Sequence, residues 1–286
     1  FNYAVLLSDA GKLAEAKAAL EASIAANADF FPSYINLGSV LERMGQSGDA
    51  ITQWTAMANR LPQITGNNLH YKLTGMKQIG RVLEGNRLNA NAEQVLRQSL
   101  DLDANQQDVL QHYVALRLAQ CEWPVIEPWE RVSRKAMLKG TGPLSMAVYT
   151  DDPLLQLGAS WNYCRNFIGY PSHDYRDRHH TAERKAKKPR LRIGYISSDL
   201  RNHAVGFIMA EMFELHNRDN VEVFAYYCGI PAEDGLKERI RNSVEHWVDI
   251  TRMSDDEAAQ RIMEDGIDIL VDVNGYTKDA RTKIFS

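Results

Sequence analysis

The sequence predicts a multidomain chain in which an all-α repeat array is followed by the first part of an α/β lobe. Three observations lead to this prediction. Residues near the N-terminus recur 34 positions later. Strand-like and helix-like patterns alternate over 191–286, which is typical of a parallel sheet covered by helices. A polar, basic stretch at 172–190 separates the two patterns, so we divide the chain into repeats at 1–124, a helical cap at 125–171, a linker at 172–190 and the lobe at 191–286.

The composition excludes several classes of protein. The chain has 286 residues, a net charge of −4 and an ordinary apolar fraction, which argues against disorder and against a general affinity for nucleic acid. No apolar run approaches the roughly 20 residues of a membrane span, and no signal-peptide pattern opens the sequence. The 3 cysteines are odd in number and widely spaced, which fits a reducing compartment and predicts no metal site. We therefore expect a cytoplasmic protein with neither membrane nor nucleic acid as partner. Because the first residue is Phe1, we also expect a fragment or a processed product.

The N-terminal array begins with two helical pairs of the same pattern. The matched positions, each 34 apart, are Asn2 with Asn36, Gly11 with Gly45 and Ala16 with Ala50. The second copy matches the two helices and the terminator of a tetratricopeptide repeat at Tyr34, Leu37, Gly38, Leu41, Ala50, Trp54 and Pro62. The small Gly38 allows two helices to approach closely, and the aromatic residues Tyr34 and Trp54 are expected in the core. A looser third copy turns at Gly85, and another helix follows over 108–121.

Such an array has two interpretations. Taken alone, a solenoid of helical repeats predicts a peptide-binding scaffold without chemistry. Asn2 and Asn36 recur once per repeat on a first helix, so they could line the inner groove and bind the backbone of an extended peptide. The basic linker at 172–190 is interpreted as a solvated connector rather than a phosphate or nucleic-acid patch. Its three histidines match no familiar metal-ligand spacing; they are His173, His179 and His180.

The lobe is predicted to be a parallel, doubly wound sheet of the Rossmann-like kind. Its expected strands are 191–197, 221–227, 246–250 and 267–273, and its expected helices are 205–216, 236–244 and 254–264. No glycine-rich dinucleotide fingerprint follows the first strand. Ligands bind such sheets beyond the carboxyl ends of the strands, so the polar tails that follow the first and last strands are where chemistry is expected.

These two tails supply the candidate site residues of the lobe. His203 follows the first strand, with Asn202 before it and Gly206 after it. A histidine can serve as a general base for a hydroxyl, although a lone histidine before a helix also serves as a structural cap. The last strand ends in the NGYT segment, which forms either a tight turn or a ligand loop; it comprises Asn274, Gly275, Tyr276 and Thr277. Asp199 and Asp272 form either a carboxylate pair or helix caps.

Several motifs together resemble glycosyltransferase family 41, the family of protein O-GlcNAc transferases and SPINDLY-type proteins, in its bacterial branch. After the repeats come QCEWP at 120–124, RIGYISSD at 192–199, NH at 202–203, VEVFAY at 221–226 and DGIDILVDVNGYT at 265–277. The resemblance implies a GT-B enzyme, with two Rossmann-like lobes around the active site and no required metal or other cofactor. It implies inverting transfer of GlcNAc from the nucleotide sugar UDP-GlcNAc to Ser or Thr hydroxyls of acceptor proteins.

The resemblance also assigns roles and leaves alternatives. It places His203 beside the acceptor as base or orienting residue, the segment 274–277 in the wall of the cleft, and the repeats on the acceptor polypeptide. Two positions depart from the animal pattern: Phe207 replaces a second histidine and Ala204 a frequent proline. The donor-binding second lobe is absent from this sequence, so we expect the fragment alone to be inactive. The alternatives are O-fucosyl transfer from GDP-fucose and a non-catalytic interaction scaffold.

Overall fold

The computed structural model describes residues 1–61, 66–170 and 190–286. These residues form two compact units, Phe1–Ala159 and Ser160–Ser286. Pro62, Pro171 and the linker at 172–189 with its three histidines lie outside the described residues, so the predictions made for them stay predictions.

The first unit is built from helices in chain order. They are α1 (Asn2–Asp9), α2 (Leu13–Ala26), α3 (Phe31–Arg43), α4 (Ser47–Asn59), α5 (Gly66–Gly85), α6 (Asn89–Leu102), α7 (Gln107–Ala119), α8 (Arg134–Gly140), α9 (Pro143–Tyr149) and α10 (Pro153–Tyr163), which runs into the second unit. The helical pairs expected from the repeat pattern are therefore present. Neighbouring helices pack on one another along the chain, from α1 on α2 through α6 on α7.

The predicted repeat core is confirmed at its aromatic positions. Trp54 is fully buried and Tyr34 is 5% exposed. Gly38 lies directly under the indole, because a Cβ built on Gly38 would stand 2.2 Å from Cε2 of Trp54. The indole Nε1 donates to the carbonyl of Ile35 at 3.2 Å, which satisfies its only polar atom. Because Gly38 has no side chain, α3 and α4 can approach closely at this point.

The second unit contains a four-stranded parallel sheet. Its elements are β1 (Leu191–Ser197), α11 (Ala204–Glu214), β2 (Val221–Tyr227), α12 (Gly235–Ser243), β3 (His246–Asp249), α13 (Asp255–Glu264) and β4 (Ile269–Asp272), preceded by a π-helical turn at Cys164–Ile168 and followed by a 3₁₀ turn at Thr282–Phe285. The strand order is β3-β2-β1-β4, and all three pairings are parallel. The doubly wound prediction is confirmed, and only the ends of the third and fourth strands are shorter than expected.

Candidate active site

The two polar tails meet at the switch point of the sheet. From β1 the chain continues to β2 on one side, while β4 pairs with β1 on the other. The carboxyl ends of β1 and β4 therefore form the switch point at which open α/β sheets bind ligands. The amide of Val273 extends this pairing by donating to the carbonyl of Ile196 at 3.0 Å. On the β2 side the amide of Cys228 donates to the carbonyl of Ser197 at 3.1 Å. The carboxyl end of β1 is therefore held from both sides, by the residues that follow β2 and β4.

Asn274 joins the two tails through its carboxamide. Its Oδ1 accepts from the main-chain N–H of Ser198 at 2.8 Å. Its Nδ2 lies 2.9 Å from Oγ of Ser198, 3.0 Å from Oδ2 of Asp199 and 3.1 Å from Oγ1 of Thr277. The residue is only 7% exposed, and buried amides of this kind fix the conformation of the groups they bond. Asn274 thus fixes the β1 tail, and its amide is engaged within the protein.

The NGYT segment is a tight turn. The amide of Thr277 donates to the carbonyl of Asn274 at 3.2 Å, and Gly275 has φ of +60°, a left-handed conformation that suits glycine. The carboxylate of Asp272 accepts from the amides of Asn274 at 2.9 Å and Gly275 at 3.0 Å. Asp272 therefore caps this turn. Tyr276 remains 37% exposed.

His203 occupies the N-cap position of α11. Its Nδ1 accepts from the main-chain N–H of Val205 at 3.3 Å. The same nitrogen lies 3.8 Å from Oδ2 of the buried Asp199, and 41% of the imidazole side chain is exposed. The structure therefore shows the structural cap, and the ring remains partly exposed beside a carboxylate; its role as a base stays a prediction.

Gly206 sets the close approach of α11 to the β1 tail. A Cβ at this position would stand 2.0 Å from the carbonyl oxygen of Arg201 and 3.0 Å from that of Asp199. Both are main-chain atoms, which cannot move aside as a flexible side chain can. Gly206 is buried, so its role is to let the loop that carries His203 lie against the helix.

Asp234 holds the same loop from the side of β2. Its Oδ2 accepts from the amide of the exposed Asn202 at 3.0 Å, while its Oδ1 caps α12 by accepting from the amide of Lys237 at 2.8 Å. The N–H of Asn202, followed by that of Lys237, lowers the pKa of this carboxyl because both hydrogen bonds favour the charged form. Lys237 itself is 2% exposed, and its Nζ lies 4.3 Å from the ring centre of Tyr227.

A cavity of about 560 Å³ lies next to the NGYT turn within the second unit. Its walls come from the π-helical turn, the turn after β4 and the last residues of the chain; they are Cys164, Ile168, Gly169, Asp272, Gly275, Tyr276, Thr282, Phe285 and Ser286. Tyr276 also packs edge-to-face on Tyr163, with ring centres 5.1 Å apart. Of the predicted site residues, Gly275 and Tyr276 line this cavity.

The other predicted residues lie elsewhere. Asn2 is exposed at the start of α1, and Nδ2 of the half-buried Asn36 donates to the carbonyl of Pro32 in its own helix at 2.9 Å. His216, which was not a predicted site residue, bonds the hydroxyl of Tyr195 at 2.8 Å, and burial, followed by Arg218, lowers its pKa. Within the described residues no group of three or more His, Cys, Asp or Glu side chains is placed to hold a metal ion. The same residues include no helix that is long and apolar enough to cross a membrane.

Comparison with known proteins gives the family. Residues 170–286, which contain the whole sheet and both polar tails, match the model of glycosyl transferase family 41. Over these residues the chain belongs to glycosyltransferase family 41. The match includes every site residue that the sequence predicted in the lobe, from Asn202 to Thr277.

Several family 41 relatives are similar in sequence. The chain is 37% identical over 161 residues to the probable UDP-N-acetylglucosamine–peptide N-acetylglucosaminyltransferase SEC of Arabidopsis thaliana, covering 53% of this chain and 16% of that protein. It is 42% identical over 98 residues to the UDP-N-acetylglucosamine–peptide N-acetylglucosaminyltransferase of Caenorhabditis elegans, covering 34% of this chain and 8% of that protein. A probable SPINDLY protein of Solanum lycopersicum is 30% identical over 133 residues, covering 45% and 13%. The aligned part is thus a small share of each relative.

The fold also resembles a solved member. A mutant of Thermobaculum terrenum O-GlcNAc transferase aligns with a TM-score of 0.56 at 21% identity, over 99% of this chain and 47% of that chain. At this identity the likeness concerns the fold alone. The chain spans about half the length of that structure.

Sequence reasoning missed Asp234 and also the contact between Asn274 and Asp199. Asp234 stands directly before a helix, which is the position of an N-cap, so a signal for its capping role was present. Its second bond to Asn202 joins residues 32 positions apart and has no local signature. The bond between Asn274 and Asp199 joins residues 75 positions apart, and no local sequence pattern predicts it.

Proposed function

We propose that this chain is the acceptor-side part of a protein O-glycosyltransferase that transfers GlcNAc from UDP-GlcNAc to Ser or Thr hydroxyls with inversion. The observation that carries the proposal is the arrangement of His203, half-exposed at the switch point, on a loop that Asn274, Gly206 and Asp234 hold in place. Preorganised loops at the carboxyl ends of parallel strands are where α/β enzymes bind substrates. The printed names of the relatives, which specify UDP-GlcNAc and peptide, favour this donor and acceptor.

The chemistry follows from the position of the imidazole. Nε2 of His203 would take the proton of the acceptor hydroxyl while its oxygen forms a bond to the anomeric carbon of the sugar. The bond from that carbon to the diphosphate breaks, and its electron pair leaves with the nucleotide diphosphate. A positioned general base of this kind contributes a factor on the order of 10²–10⁴ to the rate. The proposal requires neither a metal ion nor another cofactor.

The helical unit would bind the acceptor polypeptide. Polar side chains of first helices, among them the exposed Asn2 and the half-buried Asn36, would contact an extended peptide backbone. The reaction would take place in the cytoplasm and would not involve a membrane. In this assignment the repeats select the acceptor and the second unit presents its hydroxyl to the sugar. The partners are therefore acceptor proteins and a nucleotide sugar.

Radiolabelled donors test the reaction class. The protein, expressed from its complete reading frame, is incubated with labelled UDP-GlcNAc or GDP-fucose and a cell lysate. The proposal expects label in protein from UDP-GlcNAc, undiminished by EDTA. Label from GDP-fucose alone would indicate the SPINDLY-type alternative. Binding of lysate proteins without transfer from either donor would indicate a scaffold.

A pair of histidine substitutions tests the site. His203→Ala is expected to lower transfer by a factor on the order of 10²–10⁴. His246→Gln is the matched control, because His246 bonds Glu222 at 2.7 Å at the opposite end of the sheet and should leave transfer unchanged. Equal rates for the wild type and His203→Ala would remove the base assignment while leaving the family assignment intact.

A further inference from the structure

Two groups compete for Nδ1 of His203. The main-chain N–H of Val205 donates to it at 3.3 Å, and Oδ2 of Asp199 lies 3.8 Å away. A neutral imidazole carries a single proton, so the partner of Nδ1 determines what Nε2 can do. When Nδ1 accepts from Val205, the proton is on Nε2, and the ring can only donate there. When Nδ1 carries the proton, Nε2 has the lone pair that a general base needs.

The carboxylate is the stronger of the two partners. The contact with Val205 joins neutral groups and is longer than a usual hydrogen bond of 2.7–3.2 Å. A bond from Nδ1–H to a carboxylate is charge-assisted and roughly twice as strong as a neutral one. A shift of the ring by roughly 1 Å toward Asp199 would bring that pair into hydrogen-bond range.

Asp199 is the fixed member of this pair. It is 7% exposed, its amide donates to Oγ of Ser197 at 3.0 Å, and its Oδ2 accepts from Asn274 at 3.0 Å. The imidazole is 41% exposed and therefore freer to move. The other charged groups near the loop are Arg201, with Nη2 3.4 Å from Oδ1 of Asp199, Asp234 at the start of α12 and Asp272 at the end of β4.

We infer that Asp199 is the positioning residue of this site: its carboxylate accepts a hydrogen bond from Nδ1–H of His203 and so leaves the lone pair of Nε2 free to take the proton of the acceptor hydroxyl. The inference rests on the proposed sugar transfer for its role in a reaction, but its geometric content concerns this chain alone. No proton is transferred to Asp199 in this step. The hydroxyl proton moves to Nε2, the oxygen bonds the anomeric carbon, and the electron pair of the broken bond leaves with the nucleotide diphosphate.

Nitrogen NMR of the ring tests the inference without turnover. Histidines of the chain are labelled with ¹⁵N, and the signals of His203 are identified by their loss in His203→Gln. At about pH 8, where imidazoles are neutral, two-bond ¹H–¹⁵N correlations report which nitrogen carries the proton. The expected result is protonated Nδ1 in the wild type and protonated Nε2 in Asp199→Asn. The same tautomer in both would overturn the inference.

Kinetics of the protein from its complete reading frame give the second measurement. Asp199→Asn is expected to lower kcat about 100-fold with KM within threefold, the pattern of an interaction that acts in the transition state. Glu214→Gln, which removes a carboxylate at the far end of α11, is the control and should leave kcat unchanged. An unchanged kcat in Asp199→Asn overturns the inference. Absence of transfer in the wild type overturns the proposed function instead, and an Asp199-dependent tautomer would then still support the positioning assignment.

Discussion

Nδ2 of Asn274 donates a hydrogen bond to Oδ2 of Asp199 at 3.0 Å and thereby connects the ends of two neighbouring parallel strands. Because the oxygen that faces Asn274 is also the one nearest His203, the conformation of the loop and the chemistry of the imidazole depend on the same carboxylate. Substitutions around this bond should therefore change stability and activity together.

Asn274→Asp should convert the bond into a repulsion without changing the size of the side chain. Two carboxylates about 3 Å apart cannot both ionise, so the pKa of one of them rises strongly. The variant should be less stable than the wild type by about 2 kcal/mol at pH 7, in the range for removing a partner of a buried polar group. Because protonation relieves the repulsion, the stability difference should shrink as the pH falls. Urea unfolding followed at several pH values measures it, and a difference independent of pH would contradict the assignment.

Gly206→Ala should displace the loop of His203. Its Cβ would stand 2.0 Å from the carbonyl oxygen of Arg201, which requires movement of the main chain. Overpacking of this kind costs about 1–3 kcal/mol, and the movement should lower sugar transfer by at least about tenfold. Gly235→Ala is the matched control, because a Cβ there meets nothing within 4 Å. Similar thermal stability and activity of the two variants would show that the close approach of α11 to the β1 tail contributes to neither.

Gly38→Ala should separate α3 from α4 by forcing the buried indole of Trp54 to move. The expected loss of stability is about 1–3 kcal/mol. Gly48→Ala, also helical but with open space around it, should be neutral or should stabilise α4 by about 0.5–1 kcal/mol. Amide hydrogen exchange in α3 and α4 measures both effects, and equal protection in the two variants would exclude the proposed packing.

Asp234→Ala should weaken the start of α12 and release the amide of Asn202. The loss of a helix N-cap costs about 1 kcal/mol. Since the N–H groups of Asn202 and Lys237 lower the pKa of this carboxyl, its contribution is present above the unfolded value of about 3.9 and is lost as the pH falls through the lower folded value. The wild type and the variant should therefore differ at pH 6 and converge as the pH falls through the lowered pKa of this carboxyl. Acid titration of unfolding measures this, and a gap that stays constant as the pH falls would argue against the ionised cap.

The sequence was most informative where its pattern is periodic. The 34-residue spacing placed Gly38, Tyr34 and Trp54 in a helical core, and the apolar strands of the lobe were found because buried parallel strands are short continuous runs. The burial of these core residues and the positions of these strands depend on neighbours within one helical turn or one strand. The expected positions therefore agree with the structure to within a few residues.

The candidate site was predicted less completely because its bonds join distant residues. An Asn-Gly pair indicates a turn from its own backbone preferences, and the turn is present, but the contact of Asn274 with Ser198 depends on which strands become neighbours. The capping of α11 by the ring of His203 is a local contact, and the sequence offered it as one of two interpretations of this residue. The assignments of Asn2 and Asn36 to an acceptor groove stay predictions.

Among the described residues, the contacts that hold the loop of His203 come from β1, α11, the start of α12 and the turn after β4, all within the second unit. The chemistry of the imidazole is thus assembled by one stretch of chain. Under the proposed function, an engineer could exchange the helices of the first unit for a different recognition array without having to redesign the loop of His203, and a screen for new acceptor preference could vary one unit while the other is kept unchanged.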